Sequence, residues 1–368
     1  MTGATVAAAM VAALVSAPTG YDHAALQRDL DGLRDAGVVG VQSEVDTGPR
    51  RFTARSGVAG LTTGRPVPER GYFRMGSNGK TFVAVVVLQL VAERKMSLDD
   101  TVERWLPGVV QGNGNDGTKV SVRHLLQHTS GLHNYTNELP LFAYDDYLAH
   151  RFDQYRPEEL VKGAMAFPPD FAPGTGWSYS NTGYLLAGMI IHKVTGRDWY
   201  DEVSRRIIGP LGLRDTFSPG SRPGLPRPHS KGYMKFPGTN DYADTTLHNM
   251  SWAGAAGDMI STTADLTRFW QALLGGKLIP AEQMARMRTT VPEDRPGREY
   301  GLGIGRIKLT CGGHAWGHGG NTAGYANRNG FSEDGARGLV MIQSSRQIEG
   351  PTEQLTDRAI DRMLCSTR

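Results

Sequence analysis

Apolar residues first fall into a helical rhythm in YDHAALQRDLDGLRDAG, where Leu26, Leu30 and Leu33 share one face and Gly37 closes the run. The period then changes. GVVGVQSEV and RFTARSGVAG, separated by the turn DTGPR, read as a β-hairpin. From Thr81 to Ala92 the chain is apolar on nearly every side, which predicts a helix buried all round and too short to cross a bilayer. VVQGNGNDGTKV reads as a loop. Beyond it a helical pattern broken by Pro and Gly continues to about residue 245, with two clear helices in VSVRHLLQHTSGL and SNTGYLLAGMIIHKVTG. STTADLTRFWQALLGG predicts another, with Ser261 or Thr262 placed to cap its start. Strand patterns return in REYGLGIGRIKLT, HAWGHGGN and RGLVMIQSS, and TEQLTDRAIDRML closes the chain as an amphipathic helix.

That order predicts a sheet covered by the terminal helices with a helical lobe inserted, an α/β (α+β) arrangement. The expected division is residues 21–80 with 246–368 for the sheet domain and 81–245 for the mainly helical lobe. Composition fits: of 368 residues 39% are hydrophobic and 21% charged, enough to bury a large core. The net charge of +3 comes from 40 basic and 37 acidic residues without a long basic run, which argues against a nucleic-acid surface. No apolar stretch in the body has the length of a transmembrane anchor.

The N-terminus differs. TVAAAMVAALVSA closes on Val15-Ser16-Ala17, like a secretory h-region and cleavage site, so residues 1–17 read as a signal peptide or as a tail. No Lys or Arg precedes the run, and Pro18 follows it. The chain has two cysteines, Cys311 and Cys365, which would pair in an exported protein or lie apart as buried thiols.

Candidate chemistry begins at Ser77-x-x-Lys80, which opens the buried helix. The spacing puts both side chains on one face, in the field of unpaired N–H groups that stabilises an oxyanion, with a lysine able to take the serine proton. A capping serine with a solvent-facing lysine has the same spacing. In GWSYSNTGY, Tyr179 could shuttle a proton and Asn181 donate to a substrate carbonyl, or the asparagine could simply open a helix. In WGHGGNTAGY, His318 precedes glycines that allow close approach to an edge strand, or form only a tight turn. Three look-alikes fail. Gly112–Gly117 fits G-x-G-x-x-G but lacks the strand and helix around it. His124, His128 and His133 lack the glutamate of a zinc protease, since Leu125 stands there, so no metal is expected. Ser77 has no nucleophile elbow, because Met75 holds the first glycine position.

Taken in order, Ser77-x-x-Lys80, Tyr179-x-Asn181 and His318-x-Gly320 resemble the serine penicillin-binding protein and β-lactamase superfamily, in its class C β-lactamase and DD-peptidase branch. LVAERKMSLDDTVERWLPG, VSVRHLLQHTSGL and YSNTGYLLAGMIIHKVTGR carry the likeness over roughly residues 21–368, and secreted D-alanyl-D-alanine carboxypeptidases are the most similar group. The resemblance implies an antiparallel sheet flanked by terminal helices, an inserted all-helical lobe and an active site between them. It implies Ser77 as nucleophile, with Lys80 and Tyr179 relaying protons and Asn181 orienting the acyl amide. His318 would support the tyrosine and the substrate, Ser77 and Asn321 would supply oxyanion N–H groups, and Gly320 and Trp252 would line the site. It also implies a Cys311–Cys365 disulfide, a secreted monomer and no cofactor. The substrate would be a small peptide, β-lactam or ester. One part departs from the family. Where the carboxypeptidases hold a terminal carboxylate with an arginine and two hydroxyls, this chain has Gly305, Gly319 and Asn321, with Arg306 one residue out of step. The expectation is therefore a carboxypeptidase or transpeptidase that binds penicillin, with an esterase, D-amino-acid amidase, β-lactamase or peptide-cyclising thioesterase as the alternative.

Overall fold

A computed structural model describes residues 20–347 and 351–366, so the segment 1–17 lies outside it. Helix α1 (His23–Asp35) starts where the Asp22 carboxylate accepts the Ala25 N–H at 2.8 Å, and it buries Leu26, Leu30 and Leu33. The hairpin follows as β1 (Gly40–Asp46) and β2 (Arg51–Gly57). Helix α2 (Gly79–Ala92) is buried on almost every side. The stretch read as a loop contains a small hairpin, Gln111–Gly112 with Asn115–Asp116, turned by Asn113 and Gly114 at positive φ. Further helices are α3 (Val122–Gln127), α4 (Asn181–Thr195) and α5 (Thr263–Leu274), the last capped by Thr262.

The second half supplies β3 (Val291–Pro292), β4 (Arg298–Tyr300), β5 (Gly305–Lys308), β6 (His314–Gly317), β7 (Gly320–Thr322), β8 (Tyr325–Phe331), β9 (Gly338–Gln343) and α6 (Thr352–Cys365). These strands join the first hairpin in a nine-stranded sheet of order β2-β1-β9-β8-β6-β5-β4-β3, with β7 on β8. Every pairing in it is antiparallel.

Strand β9 shows why its run is apolar throughout. Leu339 and Met341 pack with Leu26, Leu30, Ile360 and Met363 beneath α1 and α6. Val340 and Ile342 point the other way, into the core shared with α2, α4 and α5. Cys311, between β5 and β6, is bonded to Cys365 at the end of α6, with Cα atoms 5.6 Å apart. Among the described residues no helix is long and apolar enough to cross a membrane.

Candidate active site

The chain reaches Ser77 from the strand pair Phe73–Arg74 with Ile260–Ser261, through a 3-10 turn, Gly76–Asn78, that runs directly into α2. Two glycines make this possible. Gly76 has φ +51°, and a Cβ there would lie 2.9 Å from the Asn321 nitrogen. A Cβ on Gly320 would lie 2.0 Å from the Met75 carbonyl oxygen. The backbone of β7 therefore passes against the serine turn at a separation only glycine permits. Ser77 is partly exposed and opens into a cavity of about 590 Å³, whose walls include Tyr179, Asn181, Trp252, His318, Gly320 and Asn321.

Lys80 is fully buried, so the reading with a solvent-facing lysine falls away. Its Nζ lies 3.1 Å from Ser77 Oγ, 2.7 Å from Asn181 Oδ1 and 2.7 Å from the Ala256 carbonyl oxygen. Burial alone holds its pKa well below the usual lysine value. Tyr179 sets its ring 4.9 Å from the same nitrogen and lines the cavity beside Ser77. Burial pushes the phenol pKa up, so the group stays protonated where Lys80 becomes neutral. Asn181 is no cap. Its side chain spans from Lys80 to Thr136 Oγ1, at 3.2 Å, while Ser180 takes the cap position of α4.

His318 sits between β6 and β7 with Nδ1 against the Gly319 carbonyl oxygen at 2.5 Å and Nε2 2.7 Å from the Tyr300 hydroxyl. A carbonyl only accepts, so Nδ1 carries the hydrogen and Nε2 accepts from Tyr300. Burial drives this imidazole down to about 3, which keeps it neutral. Its hydroxyl partner is Tyr300 rather than Tyr179. Trp252 lines the cavity and is fixed through its carbonyl, which accepts from Tyr135 at 2.5 Å.

Several contributors carried no signal of their own in the sequence. Tyr300 comes from β4. Asn327 and Asn329, two apart on β8, face the buried Asn78. Asn329 Nδ2 donates to Asn78 Oδ1 at 2.6 Å, and Asn78 donates to Asn327. Asn329 Oδ1 accepts the His318 N–H at 3.0 Å, and Asn327 Nδ2 donates to Met75 O at 3.1 Å. This asparagine set ties the serine turn to β8, inside the sheet. His128 packs its ring 4.2 Å from that of Tyr179. His124 accepts the Ser121 N–H and His133 pairs with Glu138, so the three histidines do not converge. Among the described residues no group of three metal-ligating side chains comes together.

The carboxylate clamp is also decided by register. Gly305 pairs with Gly317 and Arg306 with Trp316 in an unbroken ladder, so no bulge brings Arg306 round to the Gly305 face. Arg306 Nη2 donates instead to Glu299 at 2.6 Å, and the guanidinium lies 5.7 Å from the Trp316 ring.

The family described as Beta-lactamase matches residues 25–361. The chain belongs to the beta-lactamase family. It is accordingly a serine hydrolase of the β-lactamase and penicillin-binding-protein kind. Among solved structures it is similar to a D-stereospecific amidohydrolase from Streptomyces sp., with a TM-score of 0.86 and 42% identity, covering 92% of this chain and 98% of that one. It is also similar to the D-amino acid amidase of Ochrobactrum anthropi SV3 complexed with L-phenylalanine amide, with a TM-score of 0.81, 29% identity and coverage of 93% and 97%. Among curated proteins, esterase EstB of Burkholderia gladioli is 34% identical over 211 residues, 54% of this chain and 53% of EstB. Penicillin-binding protein 4 of Amycolatopsis lactamdurans is 28% identical over 333 residues, 86% of this chain and 80% of that protein. The match to EstB thus spans about half of that protein's length.

Proposed function

We propose that Ser77 is the nucleophile of an acyl-enzyme hydrolase that acts on small D-amino-acid amides and related esters. The observation that carries the substrate class is the altered clamp: Gly305 and Gly319 bear no side chain, Arg306 is held on the far face by Glu299, and the Arg328 guanidinium beside Gly319 is engaged by Glu353 and Asp357. A carboxypeptidase substrate ends in a free carboxylate that needs a cationic partner, whereas an amide ends uncharged. The amidohydrolase and D-amino acid amidase likenesses support the same class.

The hydrogen bonds at Lys80 support its role as base. A neutral amine has two N–H bonds and one lone pair. Ala256 O and Asn181 Oδ1 take the hydrogens, and the lone pair faces Ser77 Oγ–H. Ser77 Oγ bonds to the substrate carbonyl carbon as its proton moves to Lys80. The resulting oxyanion is stabilised by the N–H groups of Ser77 and Asn321, a contribution of roughly 3–4 kcal/mol per donor in comparable sites. Tyr179, kept protonated, relays the proton to the leaving amine as the C–N bond breaks. Water or an amine then attacks the ester through the same relay, restoring the serine hydroxyl.

A second reading, the D-alanyl-D-alanine carboxypeptidase, is favoured by Arg346. It lines the same cavity and has no ion pair among the described residues, so it could receive a carboxylate from another side. The deciding assay compares ammonia release from D- and L-phenylalaninamide with D-alanine release from a diacylated D-Ala-D-Ala peptide. Ammonia release with D preference is expected. D-alanine release at a tenfold higher kcat/KM would favour the carboxypeptidase instead.

A further inference from the structure

Glu293 follows β3 and faces the Ser77 cavity with a side chain only 7% exposed. Its two oxygens differ. Oε2 accepts from Arg295 at 2.7 Å, while Oε1 meets no hydrogen-bond donor among the described residues. Oε1 lies over Gly305. A Cβ added at Gly305 would find as its three nearest atoms the Gly317 carbonyl oxygen at 3.5 Å, Glu293 Oε1 at 3.8 Å and the Glu299 carbonyl oxygen at 3.8 Å. All three are acceptors, and none is closer than an ordinary contact. The absent side chain thus leaves a niche walled by oxygen, one of them a carboxylate oxygen. Arg295 pairs with Oε2 and also bonds Glu353, which Arg298 and Arg328 bond as well, so the charges balance within this cluster while Oε1 stays open as an acceptor. The niche lies close to the chemistry, for Gly305 pairs with Tyr300, whose hydroxyl bonds His318, in the cavity that Ser77 opens into.

Such a wall repels a carboxylate and suits a cation that carries several N–H donors. We propose that the niche between Glu293 and Gly305 binds a primary ammonium group of the substrate, so that the enzyme selects amine-bearing over carboxylate-bearing compounds. This rests on the reading of the site as an amidohydrolase and adds the residues that set its selectivity.

The first arm of the test measures kcat/KM for D-phenylalaninamide and N-acetyl-D-phenylalaninamide. The proteins are the wild type, Glu293→Gln, Gly305→Leu and Arg295→Ala. The wild type should favour the free amine. That preference should fall at least tenfold, through KM, in Glu293→Gln, and in Gly305→Leu, which fills the niche without touching the ion pair. Arg295→Ala breaks the same ion pair but leaves the carboxylate, and should keep the preference. A preference that survives in folded Glu293→Gln, or that is lost equally in Arg295→Ala, overturns the proposal. The second arm needs no amide turnover. It compares 2-phenylethylammonium with uncharged 2-phenylethanol as inhibitors of p-nitrophenyl butyrate hydrolysis. At least tenfold tighter binding of the ammonium, lost in Glu293→Gln, supports the niche, and equal affinity in the wild type overturns it. If neither amide is hydrolysed but the ammonium preference holds, the amide reading fails and the niche stands.

Discussion

At the scale of single residues, the division of labour between Lys80 and Tyr179 follows from one cause acting on two chemistries. Burial disfavours the charged form of each, which is the protonated form of an amine and the deprotonated form of a phenol. In the proposed mechanism Lys80 therefore serves as the base and Tyr179 as the proton carrier. The expected pH profile of kcat/KM has an acid limb set by Lys80, because protonation fills the lone pair that Ser77 needs. Activity should rise with pH through a value well below that of a free lysine, as steady-state assays across the pH range will show. Lys80→Ala should lower kcat/KM by roughly 10²–10⁴-fold. A smaller loss with an unchanged acid limb would assign the base elsewhere. That Ser77, Lys80, Tyr179 and Asn181 meet at one cavity was legible, because each sits in a short motif at or just before the start of a helix. Tyr300, Asn78, Asn327 and Asn329 were not, because strand pairing and helix packing create their roles and no local pattern announces them.

At the scale of elements, the β7–β8 pair is what the serine turn leans on. Strand β8, YANRNGF, was missed in the sequence, since polar residues break its apolar pattern. Asn327 and Asn329 turn toward Asn78, while Arg328 reaches the Glu353 carboxylate on α6. Both faces of the strand are polar for separate reasons. Removing Asn329 leaves Asn78 Oδ1 and the His318 N–H without their partner in a buried place. Asn329→Ala should cost about 1–3 kcal/mol in urea denaturation and lower kcat as the turn loosens. A variant of wild-type stability would show that the ladder is not structural. Gly320→Ala has no room at all against Met75 O, and should either unfold the edge or displace Ser77. Retained activity in that variant would mean that β7 does not press against the serine turn. The disulfide joins α6 to the β5–β6 turn across a separation of 54 residues. Cys365→Ser should lower stability by about 2–4 kcal/mol, read from thermal or urea unfolding.

At the scale of the molecule, the broad plan was legible because long periodic segments dominate it: α1, the first hairpin, α2, β9 and α6 all lie where hydrophobic pattern placed them. The sheet order was not, since it joins strands from both ends of the chain, and register rather than sequence distance decides which residues meet. The whole fold should also respond to acid. His128, His248 and His318 are held neutral by burial, the last two at about 3. Between pH 6.5 and 5 the unfolded chain binds protons at these sites and the folded chain does not, so stability falls as pH falls. Asp258, raised by burial to about 7, works in the opposite direction with Glu44 and Asp265, also raised by burial, while Lys80 and His124, lowered by burial, add to the loss. A net loss of about 1–3 kcal/mol per pH unit is expected in that window, measurable as a falling Tm. A flat Tm from pH 6.5 to 5 would contradict the burial of those histidines.

The central claim is a covalent intermediate on Ser77, and the most direct measurement is intact-protein mass after rapid quenching with a p-nitrophenyl ester, followed by peptide mapping. The account predicts one acyl group on the peptide that contains Ser77, and none in Ser77→Ala. An adduct on another residue, or full turnover by Ser77→Ala, would contradict it.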